Sequence, residues 1–414
     1  MIDYFYHGGI VLKKLRYTSV VLLTIVFLLN NFVNANTVTK PNVNSTYAIL
    51  EDFETGTLLY EKNINEKLFP ASTTKILTAI IAIENCDLNK VVTAKAETLS
   101  KLPLYSSNAH ILPDEKMTMK ELLECLLVVS GNDSALVIAD EISGNVPNFV
   151  ELMNKKVKEI GCENTHFTNP HGYHDKDHYT TAKDMMKILR YGMKYKEFRE
   201  LMQIKQIEIP ATNKNEKRIY QNTNRMFFKP EEIGRLAHYY EFNKGGKTGF
   251  TNEAQRTFVG YAEKDGRTLL VGVFHVKDIN GQDGKFIDTE NLYEYGFNSF
   301  DKKIIATKDT KIFSTIKNNE KKDYYLKEDL ISLLPNESNN NIKIKFEYDT
   351  NDTNTFININ QEQSTNSTLI TINLTNIDQN PYLYHLTYDI EHSIIDSLIE
   401  RIKINLYNLK LKIQ

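Results

Sequence analysis

The stretch Ser72-Thr73-Thr74-Lys75 sets a hydroxyl and an amine three residues apart, after Pro70 and ahead of the apolar run Ile76, Leu77, Ile80 and Ile81. That run predicts a helix. Its first turn would stack Ser72 and Lys75 on one face, where the amine could take the hydroxyl's proton. An ordinary helix start with a serine cap carries Glu or Gln three residues later. Lysine carries the wrong charge for that place, because the helix dipole disfavours a cation in the first turn and favours the neutral amine that a general base requires. The same S-x-x-K spacing recurs at Ser299 and Ser314, but neither copy precedes an apolar helical run.

Two more motifs follow in chain order. Ser130-Gly131-Asn132 closes a strongly apolar segment, 119–129, in which Leu122, Leu123, Leu126 and Leu127 recur at helical spacing. A hydroxyl and a carboxamide would project there from a loop anchored by buried leucines. S-x-N by itself carries little, since it recurs at Ser106, Ser143, Ser338 and Ser364; Lys247-Thr248-Gly249 occurs once, ahead of an alternating strand pair. Taken alone, that tripeptide reads as a turn at a strand end.

The elements that must hold these residues are legible in outline. Runs 47–52 and 57–62 flank Glu54-Thr55-Gly56 and predict a hairpin. Helices are predicted over 119–129, 134–142 and 149–160, the last stopped by Gly161, with a loop over 164–179 rich in Asn, Pro, His and Gly. Alternation over 256–261 and 268–276 predicts adjacent strands of a central sheet. Helices inserted between an early hairpin and late strands imply an α+β fold, an antiparallel sheet with helical layers. A domain boundary is expected near Phe300. Beyond it Asn, Lys, Asp and Thr dominate, and runs such as 342–348 and 368–374 suggest a small all-β unit over 301–388. Within 389–414, Ile390, Ile394, Leu398, Ile402, Leu406, Leu409 and Ile413 form one helical stripe, consistent with peripheral membrane contact or with packing on its own domain.

Composition narrows the function. A chain of 414 residues with 41% hydrophobic content can bury more than one core. A net charge of −3 argues against a nucleic-acid partner. Cys86, Cys125 and Cys162 are too few and too scattered for a disulfide framework and show no zinc spacing, so no metal or cofactor is expected. Lys13, Lys14 and Arg16, the apolar stretch 20–29 and Val33-Asn34-Ala35 predict an export signal over 1–35, cleaved or retained as an anchor; either places the remainder outside the cytoplasm.

In the order S-x-x-K, S-x-N, K-T-G, with Pro70-Ala71-Ser72, Asn132-Asp133-Ser134-Ala135, Thr168-Asn169-Pro170-His171-Gly172 and Gly249-Phe250-Thr251 around them, the chain resembles the low-molecular-mass penicillin-binding proteins, serine-type D-alanyl-D-alanine carboxypeptidases of the peptidase S11 type. The resemblance covers about 43–300 and implies a β-lactamase/transpeptidase-like domain over 36–300. It implies Ser72 as nucleophile, Lys75 as base, Ser130 as proton relay and Asn132 as a bond to the substrate backbone. Lys247 and Thr248 would receive the substrate's terminal carboxylate at the Lys247-Thr248-Gly249-Phe250 strand, with the N–H groups of Ser72 and Phe250 as oxyanion hole. Implied partners are peptidoglycan stem peptides, with β-lactams as inhibitors. Two other readings are a serine β-lactamase, for which 164–179 lacks the E-x-x-x-N carboxylate, and a catalytically degenerate cell-wall binding protein. Three departures stand out. Gly245-Gly246 should loosen the strand before Lys247, Gln255 replaces a common turn glycine, and Phe250 replaces a frequent histidine. His171 and His178 are expected to order their loop.

Overall fold

The computed structural model describes residues 40–278, 281–317, 320–336, 341–348, 357–364, 367–374 and 383–389. The expected signal over 1–35 and all of the terminal stripe beyond Asp389 lie outside the described residues. The described residues all fall within one compact unit.

Five antiparallel strands make the central sheet: β1 (Tyr47–Asp52), β2 (Leu58–Lys62), β3 (Asn243–Thr251), β4 (Gln255–Lys264) and β5 (Arg267–Val276), in the order β2-β1-β5-β4-β3. The predicted hairpin closes the sheet on one side. The K-T-G strand forms the other edge. Because side chains alternate along a strand, β5 serves two cores at once. Leu270 and Phe274 join Ile49, Val259 and Tyr261 in the cluster shared with the helices. On the other face, Leu269 and Leu50 crowd Gly296 so closely that a Cβ there would lie 2.6 and 2.8 Å from them.

Beneath the first face run α1 (Lys75–Asn85), α2 (Met119–Glu124), α3 (Asn132–Ser143), α4 (Val146–Ile160), α5 (Ala182–Gly192) and α6 (Lys196–Met202); α7 (Gly284–Ser299) covers the second face. In α1, Ile76, Leu77, Ala79, Ile80, Ile81 and Ala82 are all 0% exposed. A helix apolar on every side can only be a core helix. Each of its buried isoleucines and leucines contributes roughly 1.5–3 kcal/mol, which anchors it firmly in the core. Helix α4 is capped by Asn145, whose side chain accepts from Asn148 N, and ends at Gly161 with φ +87°.

Several elements differ from expectation. The segment 119–129 is not one α-helix: α2 stops at Glu124 and Cys125–Val129 forms a π turn that delivers Ser130 in the left-handed region at φ 67°. Ser72 does not open an α-helix either. Ala71–Thr74 is a 3₁₀ turn, with α1 beginning at Lys75. Since residues i and i+3 eclipse in a 3₁₀ turn, Ser72 and Lys75 stack as predicted for a different reason. Helices α5, α6 and α7 were not anticipated. After Phe300 the described segments are strands, including Asn341–Tyr348 and Ser367–Leu374, which pair in parallel. The three cysteines are free, with Cys125 and Cys162 buried. No helix among the described residues is long and apolar enough to cross a membrane.

The loop 164–179 lies against the 3₁₀ turn through Gly172. Gly172 has φ +83°, and a Cβ on it would sit 1.8 Å from Ala71 O. Gly172→Ala should therefore cost on the order of 3 kcal/mol, a left-handed penalty of about 1–2 plus a backbone clash. Gly56, at φ +71° with nothing within 4 Å of its Cβ direction, should cost only about 1 kcal/mol on the same change. Urea denaturation of both variants distinguishes them, and equal losses would show that the loop yields freely.

Candidate active site

Pro70 leads into a strained elbow. Ala71 holds φ 49°, a conformation most L-residues avoid, immediately before Ser72. Three bonds hold the elbow in place. Thr73 Oγ1 donates to Pro70 O at 2.7 Å, Thr74 Oγ1 donates to Ala71 O at 2.8 Å, and Thr257 Oγ1 of β4 donates to Pro70 O at 3.3 Å. His178 secures Thr74. The N–H of Thr168 donates to His178 Nδ1 at 3.0 Å, so the ring proton sits on Nε2 and goes to Thr74 Oγ1 at 2.9 Å. Burial pushes the His178 pKa down to about 3, which keeps the ring neutral and this relay intact.

One turn below, the Lys75 amine is wholly enclosed. Its Nζ lies 3.0 Å from Ser72 Oγ, 2.6 Å from Asn132 Oδ1 and 2.7 Å from His171 O. Two of these neighbours can only accept. A neutral amine has two protons for them and one lone pair left, which then faces the Ser72 hydroxyl. Burial, then the charge of Lys247, holds the Lys75 pKa well below the usual lysine value, with Asp133 acting weakly in the opposite sense.

The S-x-N segment is placed by a carboxylate that the motif alone does not reveal. Asp133, 1% exposed, accepts from the N–H groups of Ala109 at 2.9 Å, Ile111 at 3.0 Å and Ser134 at 2.8 Å. This ties the start of α3 to the 106–111 segment, and Asn132 N donates to Ser107 O at 2.8 Å. Ser130 and Asn132 are each 5% exposed.

Along β3, Lys247 is 0% exposed and its Nζ donates to Ser130 Oγ and to Thr248 O, both at 2.9 Å. Thr248 Oγ1 donates to Thr223 Oγ1 at 2.7 Å. Gly249 permits the approach of the strand to the nucleophile, since a Cβ there would stand 2.9 Å from Ser72 N. Phe250 is 57% exposed at the cleft mouth. The glycines before Lys247 do not loosen this strand. A Cβ on Gly246 would lie 2.2 Å from the Phe258 ring and one on Gly245 2.6 Å from Met202 O, so both glycines are packed to contact. Gln255 takes the turn geometry of the glycine it replaces, at φ 53°.

Of the eight sequence-predicted residues, Ser72, Ser130, Asn132, Thr248, Gly249 and Phe250 line one cavity of about 820 Å3, and the buried Lys75 and Lys247 reach it through Ser72 and Ser130. Lys285, at the start of α7, was not anticipated. It lies 38 residues beyond Lys247 in the chain, with no motif linking the two. Burial, and after it the charge of Lys285, brings the Lys247 pKa down to about 7. Asp133, His178 and Thr223 were likewise beyond sequence reasoning as positioning groups, although His178 was assigned to its loop.

An edge strand thus brings Lys247 to Ser130, opposite a core helix that brings Lys75 to Ser72. Residues 34–278 match the D-alanyl-D-alanine carboxypeptidase family model, peptidase S11, and the chain belongs to that family. It is 34% identical over 246 residues to the D-alanyl-D-alanine carboxypeptidase DacF of Bacillus subtilis, covering 58% of this chain and 60% of that protein. To DacA of Haemophilus influenzae it is 30% identical over 275 residues, 64% of each. The chain therefore spans less than two thirds of the length of these curated relatives. Among solved structures, the Streptomyces K15 DD-transpeptidase superposes with a TM-score of 0.57 at 27% identity, covering 63% of this chain and 99% of that one. The D-alanyl-D-alanine carboxypeptidase of Mycobacterium tuberculosis gives 0.56 at 29% identity, covering 64% and 95%.

If the buried charges are coupled as described, Lys247 titrates near 7 in the folded protein. Since its unfolded value is about 10.4, the unfolded chain binds the extra proton between those limits, and this group makes stability rise with pH across that window. Lys285→Gln removes a repelling charge and should move the Lys247 titration upward, as followed by NMR of labelled lysine side chains. An unchanged or lower value would contradict the coupling.

Proposed function

We propose that the protein is a serine D-Ala-D-Ala carboxypeptidase, removing the terminal D-alanine of peptidoglycan pentapeptide stems through an acyl-enzyme and acylated by penicillin at the same serine. The observation that carries this reading is the enclosure of Lys75 Nζ, which has two pure acceptors and the Ser72 hydroxyl as its neighbours. The amine takes the proton as Ser72 Oγ attacks the carbonyl between the two D-alanines. Charge developing on the carbonyl oxygen is met by the N–H groups of Ser72 and Phe250, whose neighbouring backbones Gly249 brings together. The leaving D-alanine carboxylate is received by Lys247 and Thr248, so a bound anion favours the charged lysine. Asn132 holds the substrate backbone. When the C–N bond breaks, the amine leaves with a proton from Ser130, which the proton held on Lys75 replaces. Water then cleaves the Ser72 ester.

The remaining assignments extend this reading. The chain is exported to the cell wall or the outer face of the cytoplasmic membrane, 301–388 forms a small β-rich domain after the catalytic domain 36–300, and the stripe within 389–414 makes peripheral membrane contact.

Incubation with a purified pentapeptide should release one D-alanine, seen as a mass loss, and fluorescent penicillin should give a stable label. Ser72→Ala should abolish the label. Lys75→Ala should slow acylation by about 10²–10⁴-fold with little change in fold. Near wild-type acylation in Lys75→Ala would remove that lysine from the role of base.

A further inference from the structure

Asp133 holds the 106–111 segment from one side only. The buried Ala109 gives its N–H to Asp133 Oδ2 at 2.9 Å, while its carbonyl accepts from Arg218 Nη1 at 3.0 Å and from Tyr220 OH at 2.8 Å. The same Nη1 donates to His110 O at 3.1 Å. Both donors stand on the strand Arg218–Gln221, which pairs antiparallel with Gln206–Ile209. The segment is therefore gripped twice, its N–H groups by a carboxylate and its carbonyls by a guanidinium and a phenol.

The second grip is itself fixed. Arg218 pairs through Nη2 with the buried Glu115, which also accepts from Thr212 Oγ1 at 2.9 Å, Leu112 N at 2.9 Å and Asn215 Nδ2 at 2.7 Å. A planar guanidinium held by a buried carboxylate at one nitrogen presents the other in a set direction. The segment needs that rigidity, because His110 lies in the left-handed region at φ 56°, a conformation that persists only where its surroundings impose it. The site is one step further on. Asp133 also takes the N–H of Ile111 at 3.0 Å, and the residue before it, Asn132, meets Lys75 Nζ at 2.6 Å. Asn132 N is tied to Ser107 O at 2.8 Å, within the same segment.

We propose that Arg218, supported by Glu115 and Tyr220, is a positioning residue for acylation: it fixes the 107–111 segment, which through Ser107 and Asp133 sets where Asn132 holds the Lys75 amine against Ser72. The inference rests on the carboxypeptidase reading. None of the three side chains lines the cavity, so each acts through the segment and not on a substrate. The effect is also electrostatic. Asp133 acts on the buried amine together with Lys247 from β3 and with His171 and His178 from the 164–179 loop, and the N–H groups of Ala109 and Ile111 offset its charge. Loosened from those N–H groups, the carboxylate favours the ammonium form of Lys75, which cannot take the serine's proton.

The test follows the second-order rate of penicillin acylation against pH in the full chain, with the final label per chain counting the competent sites. R218Q should lose about 10–100-fold in rate per competent site, as a displaced reacting group does, and its acidic limb should move to higher pH. Y220F leaves the Glu115 pair intact and should lose about 3–10-fold, the worth of one hydrogen bond, with its limb displaced in the same direction; it decides the question should R218Q fail to fold. A purely structural role would lower the stability and the labelled fraction while leaving the rate per labelled site and the limb unchanged, and that result overturns the proposal. A wild type that takes no label would overturn the carboxypeptidase reading itself.

Discussion

The buried amine of Lys75 is the constraint around which the domain is organised. An ammonium group taken out of water is costly unless it loses its proton or finds anions. Here it meets the side chain of Asn132, the carbonyl of His171 and the hydroxyl of Ser72, with Asp133 engaged by backbone N–H groups. Each neighbour comes from a different part of the chain. The core helix α1 supplies the lysine, the first residue of α3 supplies the amide, and the 164–179 loop supplies the carbonyl. Burying the lysine therefore assembles the cleft and selects the protonation state its proposed role demands.

Strain and close packing keep these parts in place. Ala71 and Ser130 both sit in the left-handed region, and each immediately precedes or forms a functional position. Such conformations persist only where surrounding bonds enforce them. At Ala71 the enforcement is explicit: Thr74, His178 and Gly172 converge on its carbonyl or on the groups that hold it. Thr78 Oγ1 adds a bond to Pro170 O at 2.6 Å, so α1 and the loop are joined at two levels. The edge position of β3 then leaves one side of the K-T-G strand unpaired beside Ser72, where an extended peptide can align.

The motif residues and the sheet-plus-helix architecture were legible because their signals are local: a serine and lysine at i and i+3, apolar periodicity in α3 and α4, alternation in β4 and β5. What escaped depends on tertiary context. Nothing in Ala71 announces a positive φ, and Cys125–Val129 reads as plain helix although it winds as a π turn into the left-handed Ser130. Glycine usually implies looseness in a strand, yet Gly245 and Gly246 face a ring and a carbonyl at contact distance. Helix α5 did carry a signal, Ala182, Met185, Met186 and Leu189 at helical spacing behind the cap Thr181, diluted by Lys183, Asp184, Lys187 and Arg190. Helix α7 was obscured by Phe286, Tyr293, Tyr295 and Phe297, residues that favour strands. Its lysine could be linked to Lys247 only through the fold.

The central claim is that Lys75 is already neutral in the resting enzyme with its lone pair on Ser72. The pH dependence of the second-order rate of acylation by penicillin tests it directly. A resting neutral amine predicts an acidic limb lying well below the ordinary lysine value of about 10.4. A rate that keeps climbing tenfold per pH unit up to that value would mean that the buried amine is an ammonium, and the account of the site would fail.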